Sequence, residues 1–163
     1  MKRIFCLLVL VCFVFSGCHF SGEHLKEPVT FYYIRSDYQE DLTGVIVSEQ
    51  REASGHRDDL SYLMALYLVG PVDESNRSPI PRGVRIYVAQ NYPAGVILNL
   101  SETAKNMTDS EFSLAAACLS LTCLELTGTK QVTITCENRS VTMTPETILL
   151  FDTSAAGIEK ESK

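Results

Sequence analysis

Histidines, cysteines and clustered acids are the side chains of this sequence that could do chemistry. Of the histidines His19, His24 and His56, only His56 lies outside the polar stretch near the N-terminus. It stands in the segment ASGHRDD beside Ser54 and Asp58. Neighbours on one loop rarely reach the geometry of a nucleophile, a base and an orienting acid. We therefore expect a turn at this segment and no catalytic residue.

Metal and cofactor sites are not predicted either. A zinc site needs Cys or His pairs at short spacing, and the sequence has none. The glycines occur singly, as caps and turns, so no phosphate-binding loop is expected. The acids Glu40, Asp41, Asp58 and Asp59 lack the alternating pattern of a calcium loop and fit solvated turns and a helix cap better. We expect no cofactor and no enzymatic activity.

The 6 cysteines do not predict a closed disulfide framework. Half of them fall within the first 18 residues, which leaves Cys118, Cys123 and Cys136, an odd set. The spacing of Cys118 and Cys123 in a predicted helix places their side chains on different sides of the helix axis, which disfavours a shared disulfide or metal. Either could still pair with Cys136, but buried free thiols are favoured.

The N-terminal stretch MKRIFCLLVLVCFVFSGC has the layout of an export signal. Lys2 and Arg3 precede an apolar run over 4–15, and a small pair follows. The run is shorter than the roughly 20 residues that a membrane-spanning helix needs. We therefore predict a signal peptide at 1–17 and no permanent span.

The segment FSGC at 15–18 resembles a bacterial lipobox, in which the chain is cut before a cysteine whose thiol carries a diacylglyceryl group. The lipobox pattern usually has Leu where Phe15 stands. The resemblance implies that Cys18 is the lipid attachment point and that the protein is anchored outside the cytoplasm. The alternative is an ordinary secretory signal with an incidental cysteine.

The rest of the chain is expected to form one domain at 29–152, joined to Cys18 by a tether at 18–28 and followed by a disordered tail at 153–163. The net charge is −6, and loss of Lys2 and Arg3 with the signal makes it two units more negative. Such an acidic protein is a poor partner for nucleic acid or anionic lipid. Membrane contact must therefore come from the lipid.

Hydrophobic periodicity predicts the order β-β-α-β-β-α-β-β. The expected strands are 29–36, 42–50, 84–90, 95–100, 131–137 and 140–144. One helix is capped at Asp58 or Asp59 and stops at Gly70, and another begins at the capping box TDSE and ends at Gly128. We predict a two-layer α+β sandwich with a mixed or antiparallel sheet. The second helix is apolar around much of its circumference, so we expect the sheet on one side and the first helix or a partner protein on the other.

These elements carry the motifs of a family. The chain resembles the GerM domain of sporulation and spore germination, found in lipoproteins and envelope proteins of Gram-positive bacteria, over about 29–143. The matching segments are FYYI at 31–34, LVGP at 68–71, IPRGVRI at 80–86, ILNLS at 97–101 and VTIT at 132–135. The resemblance assigns structural roles to Gly70, Pro71, Ile80, Pro81, Gly83, Leu98, Leu100 and Ser101.

The resemblance implies a non-enzymatic envelope module, similar to the ring-building modules of secretion-type assemblies, whose α-β-β-α-β units pack side by side. We therefore expect a lipid-anchored module of a Gram-positive type envelope that binds itself or an envelope protein, in sporulation or germination. The alternative is a lipoprotein that binds peptidoglycan or regulates a cell-wall hydrolase or sensor kinase. In that case exposed aromatics such as Tyr33, Tyr38, Tyr87 and Tyr92 would stack on sugars.

Overall fold

The computed structural model describes residues 25–37 and 45–148, and its elements follow the order β1-β2-α1-β3-β4-β5-α2-β6-β7. Their bounds are β1 Pro28–Arg35, β2 Ile46–Glu52, α1 Leu60–Val69, β3 Asn76–Arg77, β4 Ile86–Tyr92, β5 Gly95–Leu100, α2 Asp109–Thr127, β6 Val132–Cys136 and β7 Arg139–Met143. A 3-10 helix, Glu102–Asn106, precedes α2. The α+β class is confirmed. The predicted signal, Cys18 and the tail at 153–163 lie outside the described residues.

The strands are divided between two sheets. One has the order β2-β1-β3 and is antiparallel, and the other has the order β4-β5-β6-β7 with β5 and β6 parallel. Along part of β1, side chains take the place of a neighbouring strand as hydrogen-bond partners of the backbone. The Tyr32 amide donates to Oγ1 of Thr122 at 3.0 Å, and the Tyr67 hydroxyl donates to the Tyr32 carbonyl at 2.9 Å. These bonds satisfy backbone groups of β1 on the edge that β3 leaves open, since β3 pairs only with Ile34 and Arg35.

Helix α2 lies between the two sheets. On one side the Cys118 thiol contacts the Tyr33 carbonyl of β1 at 3.8 Å. On the other side the Arg139 guanidinium of β7 lies 4.1 Å from the centre of the Phe112 ring. Nine of its 19 residues are buried, including every residue from Ala115 to Ser120. The four-stranded sheet thus covers one side of α2. The first helix contacts α2 as well, since the sulfurs of Met64 on α1 and Cys123 on α2 lie 4.0 Å apart. The expected cover by the first helix is therefore present in part, together with a second sheet that the sequence did not predict.

Both helices begin where the sequence predicts. The Thr108 hydroxyl accepts from the Glu111 amide at 3.2 Å, and the Glu111 carboxylate accepts from the Thr108 amide at 2.8 Å. Hydrogen bonds donated to this carboxylate by the Thr108 amide and hydroxyl lower the pKa of Glu111 below its ordinary value. Asp59 caps α1 by accepting from the Tyr62 amide at 3.0 Å. Gly128 ends α2, as predicted, and has the left-handed conformation.

The turn between β6 and β7 lies one residue earlier than predicted. Glu137 has a φ of 48°, and Arg139, which we placed in the turn with Asn138, is the first residue of β7. The Arg139 side chain donates to the Met107 carbonyl at 2.9 Å and to the Asp109 carboxylate at 3.0 Å. These long-range bonds fix Arg139 in the strand.

An aromatic cluster fills the space between β1 and α1. The rings of Tyr33 and Tyr67 stack with centroids 4.9 Å apart, and both contact Phe31 edge-on. Burial raises the pKa of both phenols. Tyr33 is wholly buried, so its proposed role as an exposed sugar-stacking residue is wrong. The alternation of β1 turns residue 33 inward together with Val29 and Phe31.

Candidate functional site

The segment after α1 is held by two charged side chains of β2. The Glu49 carboxylate accepts from the amides of Val72 at 2.9 Å and Asp73 at 3.2 Å. Arg51 donates to the Gly70 carbonyl at 2.9 Å and lies 3.5 Å from Glu49. Both charged side chains are largely buried: Arg51 is 14% exposed and Glu49 is 10% exposed. Bonds from backbone groups to buried charges are among the stronger hydrogen bonds in proteins, so this segment has a fixed path.

That segment presents two valines to solvent. Val69 and Val72 are 78% and 71% exposed, the largest values among the exposed large hydrophobic residues of the described chain. Exposed apolar side chains on a rigid backbone bind a partner at a low entropy cost, because little is ordered on binding. We call residues 69–72, with their support at Glu49 and Arg51, the valine loop.

Gly70 and Pro71 give the valine loop its shape. Gly70 has φ 98° and ψ 174°, a conformation open to glycine and strained for other residues. Its amide still donates to the Tyr67 carbonyl at 3.0 Å, so it ends the helix as predicted. The extended ψ differs from the left-handed conformation in which glycine commonly ends a helix. It arises because a residue before proline is pushed out of the helical region, and Arg51 then holds the Gly70 carbonyl.

The IPRG segment forms a turn that enters the second sheet. Ile80 is buried, and the Val84 amide donates to the Pro81 carbonyl at 3.3 Å across the turn that contains Gly83. Ser101 binds the backbone that follows this turn. Its hydroxyl accepts a hydrogen bond from the Arg85 amide at 2.9 Å. The Ser101 amide in turn donates to the Arg85 carbonyl at 2.8 Å. The turn is therefore fastened to the end of β5.

Leu98 and Leu100 complete the set that the family motif singles out. Both are buried on the inner face of β5, at 0% and 3% exposure. The motif residues thus serve two regions, the valine loop at Gly70 and Pro71 and the junction of the IPRG turn with β5. They lie in the core and in turns, and the structural roles that the resemblance assigned to them stay predictions.

Glu49 and Arg51 were not found from the sequence. We interpreted β2 as an ordinary strand, and no motif marks these two residues. Their alternation on one face of a strand is a weak signal, since charged residues at such spacing are usually solvated. Their role depends on a segment about twenty residues further along the chain, as the separation of 23 between Glu49 and Val72 shows.

The loop around His56 forms a shallow groove and no catalytic arrangement. The imidazole stacks on the Tyr62 ring with centroids 4.1 Å apart. Asp59 caps α1, and the Ser61 hydroxyl donates to the Ala89 carbonyl at 3.4 Å. Asp59 and Ser61 are thus engaged in local structure, and the segment around His56 forms turns as predicted.

Cys118, Cys123 and Cys136 are free and buried, the state that the sequence favoured. Burial raises the pKa of all three thiols, and that of Cys123 reaches about 12. Cys123 lies 4.0 Å from the Met64 sulfur, and Cys136 donates to the Ser101 carbonyl at 3.4 Å. They behave as core residues and are poor nucleophiles.

Residues 25–37 and 45–148 contain neither a cluster of metal ligands nor a membrane-spanning helix. No group of three or more His, Cys, Asp or Glu side chains there could hold a metal ion. No helix in the same part of the chain is long and apolar enough to cross a membrane. Tyr38, Glu40 and Asp41 lie in the gap between the two ranges.

Comparison with solved structures shows the fold class. The first GerMN domain of the sporulation protein GerM from Bacillus subtilis matches with a TM-score of 0.52 at 16% identity, over 70% of this chain and 85% of that chain. The tandem GerMN domains of the same protein match with a TM-score of 0.50 at 21% identity, over 69% of this chain and 39% of that one. A Clostridium perfringens structure named as a candidate lipoprotein gives 0.47 at 16% identity, over 74% and 89%, which is too low to carry an argument. This is therefore an α+β domain of the GerMN type.

The sequence itself matches the family model described as "Germane: Sporulation and spore germination" over residues 30–142. This match covers well over half of the chain, so the chain belongs to the Germane family. The resemblance to the GerM domain is thereby confirmed. A comparison with curated proteins finds no match.

Proposed function

We propose that this protein is a non-enzymatic, lipid-anchored interaction module of a Gram-positive type cell envelope, acting in sporulation or germination. Its lipid is attached at Cys18, and its valine loop binds an envelope protein or a second copy of the chain. The observation that carries the proposal is the exposure of Val69 and Val72 on a backbone held by Glu49 and Arg51. Membership of a family described by sporulation and spore germination supports the setting.

The hydrogen bonds at the start of the domain fit a lipid anchor at Cys18, a few residues before residue 25. Glu27 accepts from the amides of Ala53 and Gly55 at 3.0 and 2.8 Å, and Arg57 donates to the Pro28 carbonyl at 3.0 Å. The first strand is therefore pinned where it begins. Residues 18–25 can span at most about 25 Å, which would hold this end of the domain close to the membrane.

The valine loop lies beside β2, held by Arg51 and Glu49, which pair with Val29 and Phe31 of β1. After Asp73 the chain runs beside β1 toward its far end, where the Ser36 amide donates to the Ser75 carbonyl at 2.8 Å. Because Val69 and Val72 are exposed to solvent, they would be accessible to other envelope proteins. We propose that a partner covers the two valines together, since apolar side chains exposed side by side form the kind of patch that marks interaction sites.

The anchor is tested by metabolic labelling with palmitate. Label is expected in the full-length protein and absent from Cys18→Ala, which should also leave the membrane fraction. Label that persists in Cys18→Ala would overturn the assignment of Cys18.

The interaction is tested separately, by the native mass of the anchored protein extracted in mild detergent. We expect a complex that Val72→Asp reduces to the single chain, while Ser48→Asp on the exposed face of β2 leaves it intact. A single-chain mass for the unsubstituted protein, or a complex unaffected by Val72→Asp, would contradict the proposal.

A further inference from the structure

The outer face of the four-stranded sheet is a second exposed surface. Val96, Leu98, Val132 and Ile134 are buried on the inner face, toward the core. Because side chains alternate along a strand, the residues between them point outward. Ile97 on this face is 39% exposed, and within the described residues neither helix covers it.

The register of the strands arranges the residues of this face in two rows, and each row crosses all four strands. Val88 and Ile97 are its aliphatic members, one in each row. The other six members carry hydroxyl or carboxamide groups: Gln90, Asn99, Thr133, Thr135, Ser140 and Thr142. None of the eight side chains is charged. This is unusual for the open face of a protein with a net charge of −6, because solvated strands normally carry charged side chains.

Hydrogen bonds between strands order the polar groups of the face. The Asn99 carboxamide donates to Oγ1 of Thr135 at 2.8 Å, and the hydroxyls of Thr133 and Thr142 lie 2.9 Å apart. Each hydroxyl retains acceptor capacity beyond these bonds. The face therefore offers an ordered array of donors and acceptors, spaced by the roughly 4.8 Å between strands.

A groove lies at the end of the sheet where β4 turns into β5 and the chain enters β6. It has a volume of about 520 Å³ and is lined by Tyr92, Thr129, Lys130 and Gln131, among others. Tyr92 lies two residues beyond Gln90 on β4, so its ring stands on the outer side of the sheet, 46% exposed, and its hydroxyl bonds to Gln90. Lys130 is the charged residue of the groove lining.

We infer that this face and groove bind a glycan of N-acetylated amino sugars, with Lys130 receiving a carboxylate carried by the sugar. Sugar hydroxyls match the Thr, Asn and Gln array, and the aliphatic patch of Val88 and Ile97 fits an acetamido methyl group. The Tyr92 ring can stack on a sugar face. A protein partner would favour aromatic and arginine anchors around an apolar centre, and nucleic acid would need several cations.

The inference concerns a surface separate from the valine loop, and it relies on the proposed function only for the extracytoplasmic setting in which such glycans occur. The test uses the full-length protein in detergent and two probes. One is a neutral oligosaccharide of β-1,4-linked N-acetylglucosamine, and the other is purified peptidoglycan, which carries carboxylates.

We expect both probes to bind. Ser140→Glu and Thr142→Glu, both at exposed positions, should each weaken binding by about tenfold or more. Ser48→Glu, an equal charge change on the first sheet, should leave binding unchanged. Lys130→Gln should weaken peptidoglycan binding and spare the neutral oligosaccharide. Thermal melting of each variant establishes that it is folded.

Absence of binding to both probes would overturn the inference, as would equal binding by Thr142→Glu and the unsubstituted protein. A face that joins two copies of the chain would also overturn it, and would appear as a complex that Thr142→Glu dissociates without glycan being bound. The native mass of Val72→Asp is measured separately, so failure of the glycan site and failure of the valine loop are distinguishable.

Discussion

The Glu49 carboxylate accepts a hydrogen bond from the Val72 amide at 2.9 Å. This bond joins the middle of β2 to the segment that follows α1, and it determines how the valines are presented. Glu49 also accepts from Asp73 and from the Asn76 carboxamide at 3.3 Å. One side chain thus organises a loop that contains no regular structure of its own.

Replacing Glu49 by Gln should loosen the valine loop without unfolding the domain. The neutral carboxamide is a weaker acceptor than the carboxylate and forfeits the contact with Arg51, so we expect a loss of about 1–2 kcal/mol in unfolding free energy. Hydrogen exchange at the amides of Val72 and Asp73 should accelerate well beyond the effect on the core. Glu52→Gln, on the exposed side of the same strand, is the control. Unchanged exchange in Glu49→Gln would show that the carboxylate does not hold the loop.

Two neighbouring positions on α2 should respond in opposite ways to loss of a hydroxyl. Thr122 accepts from the Tyr32 amide and donates to the Cys118 carbonyl at 2.9 Å. Thr122→Val leaves a buried amide without its partner and should cost about 1–3 kcal/mol, whereas Thr122→Ser should retain most of the stability. The Ser120 hydroxyl is buried with no hydrogen-bond partner among the described residues, so Ser120→Ala should be neutral or stabilising.

Denaturant unfolding measures both free energies. A loss at Ser120→Ala as large as that at Thr122→Val would contradict this account of how β1 is closed.

Much of the helix framework could be predicted from local sequence. Three features of the helices involve residues within one or two turns of each other: the capping box of Thr108 and Glu111, the stop at Gly70 and the end at Gly128. Such features can be predicted from short segments of sequence. Thr122 and Glu49 act over separations of 90 and 23 residues. The open edge of β1 and the valine loop depend on these bonds, and periodicity carries no information about them.

The burial of α2 illustrates the same limit. Its apolar circumference indicated that several neighbours would cover it, which is correct. Whether a second sheet or a partner protein does so depends on topology, since the residues of β6 and β7 that approach α2 are not marked by its own sequence. Likewise, Tyr33 and Tyr87 both lie in strand segments, and only the register and a bulge in β4 make one buried and the other 65% exposed.

A methyl group at Gly95 should destabilise the domain more than one at Gly55. Both glycines have positive φ, at 143° and 80°, but a Cβ at Gly95 would lie 2.7 Å from the Gln131 carbonyl oxygen, whereas one at Gly55 meets nothing within 4 Å. Gly55→Ala carries backbone strain of about 1–2 kcal/mol. Gly95→Ala adds the clash and threatens the bond from the Val96 amide to Gln131 at 3.0 Å. Equal losses in unfolding free energy would contradict the close approach of β5 and residue 131.

The thiols of Cys118, Cys123 and Cys136 should be reduced and unreactive in the folded protein. With a pKa of about 12, Cys123 has roughly one thiolate in ten thousand molecules at pH 8. Raising the pH from 7 to 9 should therefore speed alkylation of a small reference thiol while leaving native Cys123 almost untouched. Two-step alkylation, before and after denaturation without reductant, followed by mass spectrometry of the three peptides, measures this. A peptide that resists alkylation in denaturant would reveal a disulfide.

The central claim is that the valine loop of an anchored domain is its contact with other proteins. Site-specific photo-crosslinking in the living cell tests this claim most directly. The crosslinking residue replaces Val72 in the full-length chain, and the same residue at Glu52 is the control. We predict one discrete adduct from position 72, with an envelope protein or with a second copy of the chain, lost in Cys18→Ala and absent from position 52. No adduct from position 72, or the same adducts from both positions, would contradict the claim.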